Sequence, residues 1–246
     1  MGRISFENYG KRAKLTKNFT IISGRYSIQK SAERLIFYDV KSKLNIEPND
    51  TCLDIGCGPG NLLIPLSFLV NKITGIDHSD VIEKLQKRFS DLNNIELIKG
   101  NFLDLKMDKG FTKILVYSVL HCLEDQKEVL EFIDKANSLL TPGGKILFGD
   151  IPNISRKERF LSSHYGKEFL KEWNSKRANS KNSDEIEQSK LDRLPVDVNT
   201  VKFNDDFMLK IIKKLRKEGY HAYILPQHPE LPFGYTREDI LVEKIL

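Results

Sequence analysis

The residues best suited to chemistry lie in one stretch, Leu53-Asp54-Ile55-Gly56-Cys57-Gly58-Pro59-Gly60, in which glycine takes every second position after Ile55. Glycine reaches positive φ without steric cost, and the missing Cβ lets the backbone approach a ligand closely. A dinucleotide loop spaces its glycines G-x-G-x-x-G so that a pyrophosphate sits on a helix N-terminus. Here the third glycine comes one place earlier. Asp54, two residues before Gly56, puts a carboxylate where a phosphate is repelled and a cationic ammonium group is attracted. Asp77 follows 21 positions after Gly56. An acid about 20 residues beyond such a loop, closing the second strand, is placed to bind the ribose hydroxyls of an adenosine. Together these residues suit an adenosine-containing cation better than NAD or FAD.

Such a site needs a strand before the glycine turn, a helix after it, and a second strand ending in the acid. The sequence supplies all three. Apolar, β-branched runs predict strands at Thr51–Ile55, Lys72–Asp77, Ile95–Lys99, 113–118 and 145–150, with helices at 61–69, 79–93 and 126–139 between them. Strands separated by helices make parallel βαβ units, so the expected fold is α/β, a Rossmann-like doubly wound sheet. Ahead of it, Ala32, Leu35, Ile36 and Val40 recur at helical spacing and predict a helix over 27–43. Residues 1–18 are basic and polar, with Phe6 and Tyr9 embedded. Two readings stay open for them, a surface arm or a segment that closes over the ligand.

Beyond Pro152 the rhythm breaks. Leu161, Tyr165, Phe169 and Trp173 recur every fourth residue and predict one helix over 156–177 with an aromatic stripe. Residues 174–190 are polar, as a mobile loop is. An insertion at this point lies above the carboxyl ends of the strands, where ligands bind. It reads either as a wall that selects a second substrate or as a helix packed on the core. The end of the chain returns to the pattern, with a helix over 205–218 closed by Gly219 and strands over 220–225 and 239–245 around Pro226, Pro229 and Pro232.

At the glycine stretch and Asp77 the sequence resembles the class I S-adenosylmethionine-dependent methyltransferases of small-molecule type, over residues 44–152 and again over the last forty. The resemblance implies a seven-stranded sheet with an antiparallel last strand, an N-terminal helical cap and an insertion after the fifth strand. It implies one domain, divided into the arm and cap (1–44), the cofactor-binding core (45–152), an acceptor lid (153–204) and a C-terminal helix with two strands (205–246). It also implies site roles. Gly56, Cys57, Gly58 and Gly60 back the methionine part of the cofactor, Asp54 helps hold its amino-acid end, and Asp77, with His78 beside it, binds the ribose. Asn101 and Phe102 meet the adenine, Asn101 standing where the family commonly has an acid; its amide carbonyl still accepts from the exocyclic amine. Tyr117-Ser118-Val119-Leu120-His121-Cys122 is similar to motif IV and lacks the Asn/Asp-Pro-Pro-Tyr used on amino groups of nucleic-acid bases. Ser118 is counted with the cofactor-binding set. His121 is the candidate catalytic base for a hydroxyl proton, or else a packing or cofactor-contact residue.

The implied activity is transfer of the methyl group of S-adenosylmethionine to a hydroxyl, less readily an amine, of a small molecule, with S-adenosylhomocysteine as product. Methylation of RNA or protein, or binding of the cofactor or a partner without catalysis, are the alternatives. Composition agrees with such an enzyme. The chain has 246 residues, 40% hydrophobic and 30% charged, with a formal charge of +5. Outside the N-terminus its basic residues are interleaved with acids nearly everywhere, which disfavours a nucleic-acid partner. No window approaches the ~20 apolar residues of a membrane span. The scattered Cys52, Cys57 and Cys122 point to the cytoplasm and reduced thiols. No His and carboxylate cluster has metal-ligand spacing, and the expected chemistry uses no metal.

Overall fold

The structure is a computed structural model that describes residues 3–179 and 200–246. The sheet is seven-stranded, in the order β3-β2-β1-β4-β5-β7-β6. Its members are β1 (Thr51–Ile55), β2 (Lys72–Asp77), β3 (Ile95–Lys99), β4 (Phe111–Tyr117), β5 (Leu140–Pro152), β6 (Tyr220–Pro226) and β7 (Arg237–Lys244). The first five run parallel, and β7 is antiparallel to both neighbours. The chain reverses its direction along the sheet between β1 and β4, so a crevice opens at the carboxyl ends of those strands, beside the glycine stretch.

Strands β1 to β3 begin and end where the sequence predicts. β4 starts earlier than 113 because Phe111 pairs with Leu140, and it stops at Tyr117 because Ser118 turns to φ 62°. β5 is longer than 145–150 at both ends: it opens at Leu140 against β4, and past an irregularity between Phe148 and Ile151 it pairs again with β7. That irregularity contains Asp150, held at φ 60°.

Helices differ more. Residues 3–15 form α1 (Arg3–Leu15), so the N-terminal arm is a helix, followed by α2 (Phe19–Ile22). The helix expected over 27–43 is broken into a 3₁₀ turn (Ser27–Gln29), α3 (Lys30–Glu33) and α4 (Ile36–Leu44). At the break, the Glu33 carboxylate accepts from Thr20 Oγ1 at 2.7 Å and Asn61 Nδ2 at 2.9 Å, a tie that a continuous helical face cannot offer. α5 (Leu63–Ser67) and α6 (Ser79–Gln86) are shorter than expected. α6 ends early because Arg88 donates to Asn61 Oδ1 at 2.7 Å and to the Pro59 carbonyl, drawing the chain back to the glycine loop. α7 (Gln126–Ser138) matches its prediction within a residue.

The single helix expected over 156–177 is two, α8 (Ile154–Ser162) and α9 (His164–Asn179). Ser163 leaves the helix at ψ 157°, and Gly166 lies so close to the Phe160 carbonyl that a Cβ would collide with it. α9 also carries 174–179, part of the polar stretch expected as a loop; 180–190 fall outside the described residues. α10 (Asp205–Lys217) returns the chain to the sheet, its apolar face of Phe207, Met208, Ile211 and Leu215 buried in the main core. Among the described residues no helix is long and apolar enough to cross a membrane.

Candidate functional site

The glycine stretch turns directly off β1. Gly56 sits at φ 76°, and a Cβ on it would come 2.5 Å from Val119 Cγ2, so only glycine closes the turn against the β4 loop. Gly56 and Cys57 donate backbone bonds to the Ile76 carbonyl at 2.8 and 3.1 Å, clamping the turn to the end of β2. Asp77 is thereby brought under the loop. Its Oδ2 accepts from Gly58 N at 2.7 Å and its Oδ1 from His78 N at 2.6 Å. Each oxygen keeps a lone pair for a further donor.

These residues line a cavity of about 730 Å³, open mouth included, whose walls contain Asp54, Gly56, Cys57, Gly58, Asp77 and Ser118. A contiguous recess of about 260 Å³ shares Gly56 and Asp77 with it and adds Asn101, Phe102 and Phe6. The structure therefore gathers eight of the eleven residues singled out in the sequence. Gly60, His78 and His121 are on neither wall. Gly60 is at φ 83°, where a Cβ would strike Leu85 and Ile64, so its conformation serves the packing of α5 on α6. His78 caps α6, its Nδ1 accepting from Asp80 N at 3.2 Å, and its ring packs on Phe6 at 4.9 Å. His121 lies in a 3₁₀ turn after β4 with Nδ1 buried and unpartnered. Burial, with Arg237 nearby, lowers its pKa to about 4, so the ring is neutral near pH 7.

The electrostatics of the cavity favour a cation or a hydrogen-bond donor. Asp54 is 3% exposed, and its Oδ2 has no hydrogen-bond partner. Burial, reinforced by the Asp77 charge, raises its pKa from 3.8 to about 8. Asp77 is raised to about 6 by burial, against which the His78 and Gly58 amides work. A buried acid with an orphaned oxygen is costly unless a donor joins it. An ammonium group would satisfy Asp54, and a pair of hydroxyls would satisfy Asp77.

Several wall residues come from the N-terminal elements. Tyr9 and Phe6, on α1, cover the cavity and its recess respectively. The turn after α2 adds Ser23 and Arg25. Asn61 stitches this cap to the glycine loop, donating to Glu33 and to Ser23 Oγ at 3.2 Å. Glu33 and Asn61 are ordinary polar residues in sequence, and nothing there marks them. Phe6 and Tyr9, three apart in a polar stretch, are the one signal that could have settled the arm as a lid.

Arg25 also reaches across the crevice. Its Nη2 donates to Ser118 Oγ at 2.9 Å, and the Ser118 hydroxyl donates to Asp150 Oδ2. Arg25 and Arg237 flank that carboxylate at 3.6 and 3.7 Å. The Asp150 amide is held by Asp239, which also pairs with Lys43 of α4 at 2.7 Å. Ser118 and Asp150, two non-glycine residues at positive φ on adjacent strand ends, thus meet in one hydrogen-bonded cluster. Backbone strain of this kind concentrates at functional sites.

A doubly wound sheet with an acid-lined crevice at its reversal point defines the class. The chain belongs to the methyltransferase-domain family, whose model matches residues 46–194. It is 31% identical over 116 residues to a demethylmenaquinone methyltransferase of Oceanobacillus iheyensis, covering 44% of this chain and 48% of that protein. It is 28% identical over 134 residues to an rRNA adenine N-6-methyltransferase of Bacteroides fragilis, covering 54% and 49%. The chain thus spans about half the length of the curated relatives it matches. Among solved structures, it is similar to phosphoethanolamine N-methyltransferase 1 of Haemonchus contortus in complex with phosphoethanolamine and S-adenosylhomocysteine. That likeness has a TM-score of 0.66 at 19% identity, over 98% of this chain and 48% of that one, and it shows the shared fold.

Proposed function

We propose that the protein is an S-adenosylmethionine-dependent methyltransferase acting on a hydroxyl group of a small molecule. The orphaned Asp54 carboxylate, in one cavity with Asp77, carries the reading of the cofactor. Asp54 receives the ammonium of the methionine end and Asp77 both ribose hydroxyls. The recess of Asn101, Phe102 and Phe6 receives the adenine. Gly58 leaves its backbone bare beneath the chain between them.

In the reaction a lone pair on the acceptor oxygen attacks the methyl carbon and the C–S bond breaks. Its electrons stay on sulfur, leaving neutral S-adenosylhomocysteine. The hydroxyl proton passes to Ser118 on the cavity wall, which hands its own to the Asp150 carboxylate behind it, and from there to solvent. Two arginines beside that carboxylate favour an oxygen that becomes negative as it loses its proton and disfavour an ammonium acceptor. The protein contributes mostly orientation and a proton acceptor, since the sulfonium already supplies the driving force. A small acceptor is supported by the cap, because α1 and the 23–26 turn close the crevice from above.

Incubation with methyl-labelled cofactor and fractionated cell extract tests this, with label expected in low-mass metabolites. Label confined to RNA, the acceptor class in the name of the Bacteroides relative, or to protein would overturn it. Binding of the cofactor without label transfer to any fraction would reduce the protein to a sensor.

A further inference from the structure

A second cavity, of about 1100 Å³ with its open mouth included, lies between α8, α9 and the loop joining β6 to β7. Its walls are aromatic to an unusual degree: Phe160, Phe169, Trp173, Phe233 and Tyr235 all face it, each half-buried. Their arrangement is ordered. Phe160 stacks on Tyr235 at 4.5 Å and 4°, Phe169 is parallel to Trp173 within 13°, and Trp173 meets Phe233 at 6.2 Å. Phe233 is held at φ 61°, a conformation in which a bulky residue is strained. The neighbouring Gly234 packs so closely on the His228 carbonyl that no side chain fits there. The loop is thus built to hold an aromatic ring at that wall rather than to bury it.

The cavity adjoins the cofactor site by two routes. Arg25 lines the cofactor cavity, while the next residue, Tyr26, packs edge-on against Trp173 and Phe233 at 6.1 and 6.4 Å. Arg237 lines the aromatic cavity and reaches Asp150, which the Ser118 hydroxyl joins from the cofactor side. The two cavities therefore share one partition, in which the proton-accepting pair is set.

The charges select the ligand further. Among the described residues, Lys157 and Arg237 line the aromatic cavity and no Asp or Glu does. Lys157 is exposed and makes no ion pair among them. An aromatic box that takes a quaternary ammonium relies on ring faces without neighbouring cations; this one has cations beside ring faces and edges against which a flat aromatic ring can pack. We propose that this cavity is the acceptor chamber and that it takes a planar aromatic hydroxy compound carrying an acidic group. The name acceptor rests on the methyl-transfer reading above. The ligand class rests on the walls alone.

Trp173 is the chain's single tryptophan, so its emission reports the chamber directly. The probes are 1-hydroxy-2-naphthoate, neutral 1-naphthol, 4-hydroxycyclohexanecarboxylate and choline, each titrated against the intact protein. Binding of S-adenosylhomocysteine is measured separately by calorimetry. The hydroxynaphthoate is expected to change the emission saturably and to bind at least tenfold more tightly than naphthol, with the alicyclic acid and choline giving no saturable response. Lys157→Gln, at an exposed position, should remove most of the preference for the acid while leaving naphthol unaffected; Phe169→Leu should weaken both aromatic probes. No saturable response to either aromatic probe in protein that binds S-adenosylhomocysteine would overturn the chamber and leave the cofactor reading standing. Preference for choline would overturn the ligand class. Hydroxynaphthoate binding with no response to S-adenosylhomocysteine would overturn the methyl-transfer reading and still support the class.

Discussion

Replacing Asp54 by Asn is expected to make the ligand-free protein more stable while weakening its hold on the cofactor. Asp54 is buried beside Asp77 with Oδ2 unpartnered, and its pKa is raised from 3.8 to about 8. The fold therefore accommodates the protonated carboxyl and resists the ionised one. Its contribution is fully present below about pH 4 and is lost as pH climbs through 8. A shift of about four units, at about 1.36 kcal/mol each, bounds the loss at roughly 5 kcal/mol. Local relaxation and water reaching the empty cavity reduce it, and ~2 kcal/mol is a reasonable expectation. For a chain of this length 1 kcal/mol moves the melting temperature by ~2–4 °C.

Asp54→Asn should thus gain ~4 °C or more over the parent at pH 8.5 and little at pH 5, measured without ligand. On the same samples, affinity for S-adenosylhomocysteine should fall at least tenfold, because an amide cannot offer the ammonium a charge-assisted bond worth ~1.5–3 kcal/mol. In the parent protein, binding near pH 7 should release a proton, since an acid with pKa about 8 must ionise to meet the ammonium. Calorimetry in buffers of differing ionisation heat reads that proton. If Asp54→Asn lowered the melting point at pH 8.5, or bound the product as tightly as the parent does, the assignment of Asp54 would be wrong.

Asp77→Ala should weaken S-adenosylhomocysteine binding at least tenfold by removing bonds to two hydroxyls; unchanged affinity, by calorimetry, would move Asp77 out of the site. Phe6→Ala opens the recess beside Asn101 and Phe102, so it should weaken the same ligand by about five- to thirtyfold, in keeping with the ~1–2 kcal/mol of partial ring burial. His121→Gln should keep the methyl-transfer rate within tenfold of the parent. Asp150→Asn should lower kcat at least a hundredfold without changing affinity for the product, as loss of a general base does, and the reverse order of the two would restore His121 as the base.

The sheet was legible because its strands carry their signal locally: β-branched runs between glycine and proline turns are the same in any context. The grouping of Asp54, Gly56, Gly58 and Asp77 in one cavity was legible for a related reason, since the fold sets a glycine turn after β1 and an acid closing β2 at a fixed distance. What failed depended on tertiary ties. The helix over 27–43 breaks where Glu33 is recruited by Thr20 and Asn61, and α6 stops where Arg88 turns back to Pro59 and Asn61. The 156–177 helix breaks at Ser163, although its every-fourth-residue stripe is unbroken in sequence. Phe169 and Trp173 still face one cavity, while Tyr165 is 58% exposed and bonds Tyr235 through its hydroxyl at 2.9 Å. His121 stands at a strand end, a place that suits a base or a packing residue, and the sequence does not carry the burial that takes it off both cavity walls and lowers its pKa to about 4.

Three of the strained residues outside glycine, Ser118, Asp150 and Phe233, fall at or beyond the carboxyl ends of β4, β5 and β6. Each costs of order 1–3 kcal/mol and persists only where its surroundings over-determine it. For Asp150 those surroundings are explicit. Its amide is fixed by Asp239, Asp239 is fixed by Lys43 and by Gln227 at 2.9 Å, and Arg237 holds its carbonyl at 3.2 Å. A relaxed β5 would continue its pairing with β7 and carry Asp150 into the ladder, away from Ser118. The irregularity between Phe148 and Ile151 prevents this and turns the carboxylate toward the crevice. The buried Lys43–Asp239 pair, which looks like a simple tie between the cap and the sheet, therefore has a second effect: it stores, in the backbone of β5, the position of the group proposed to take the proton.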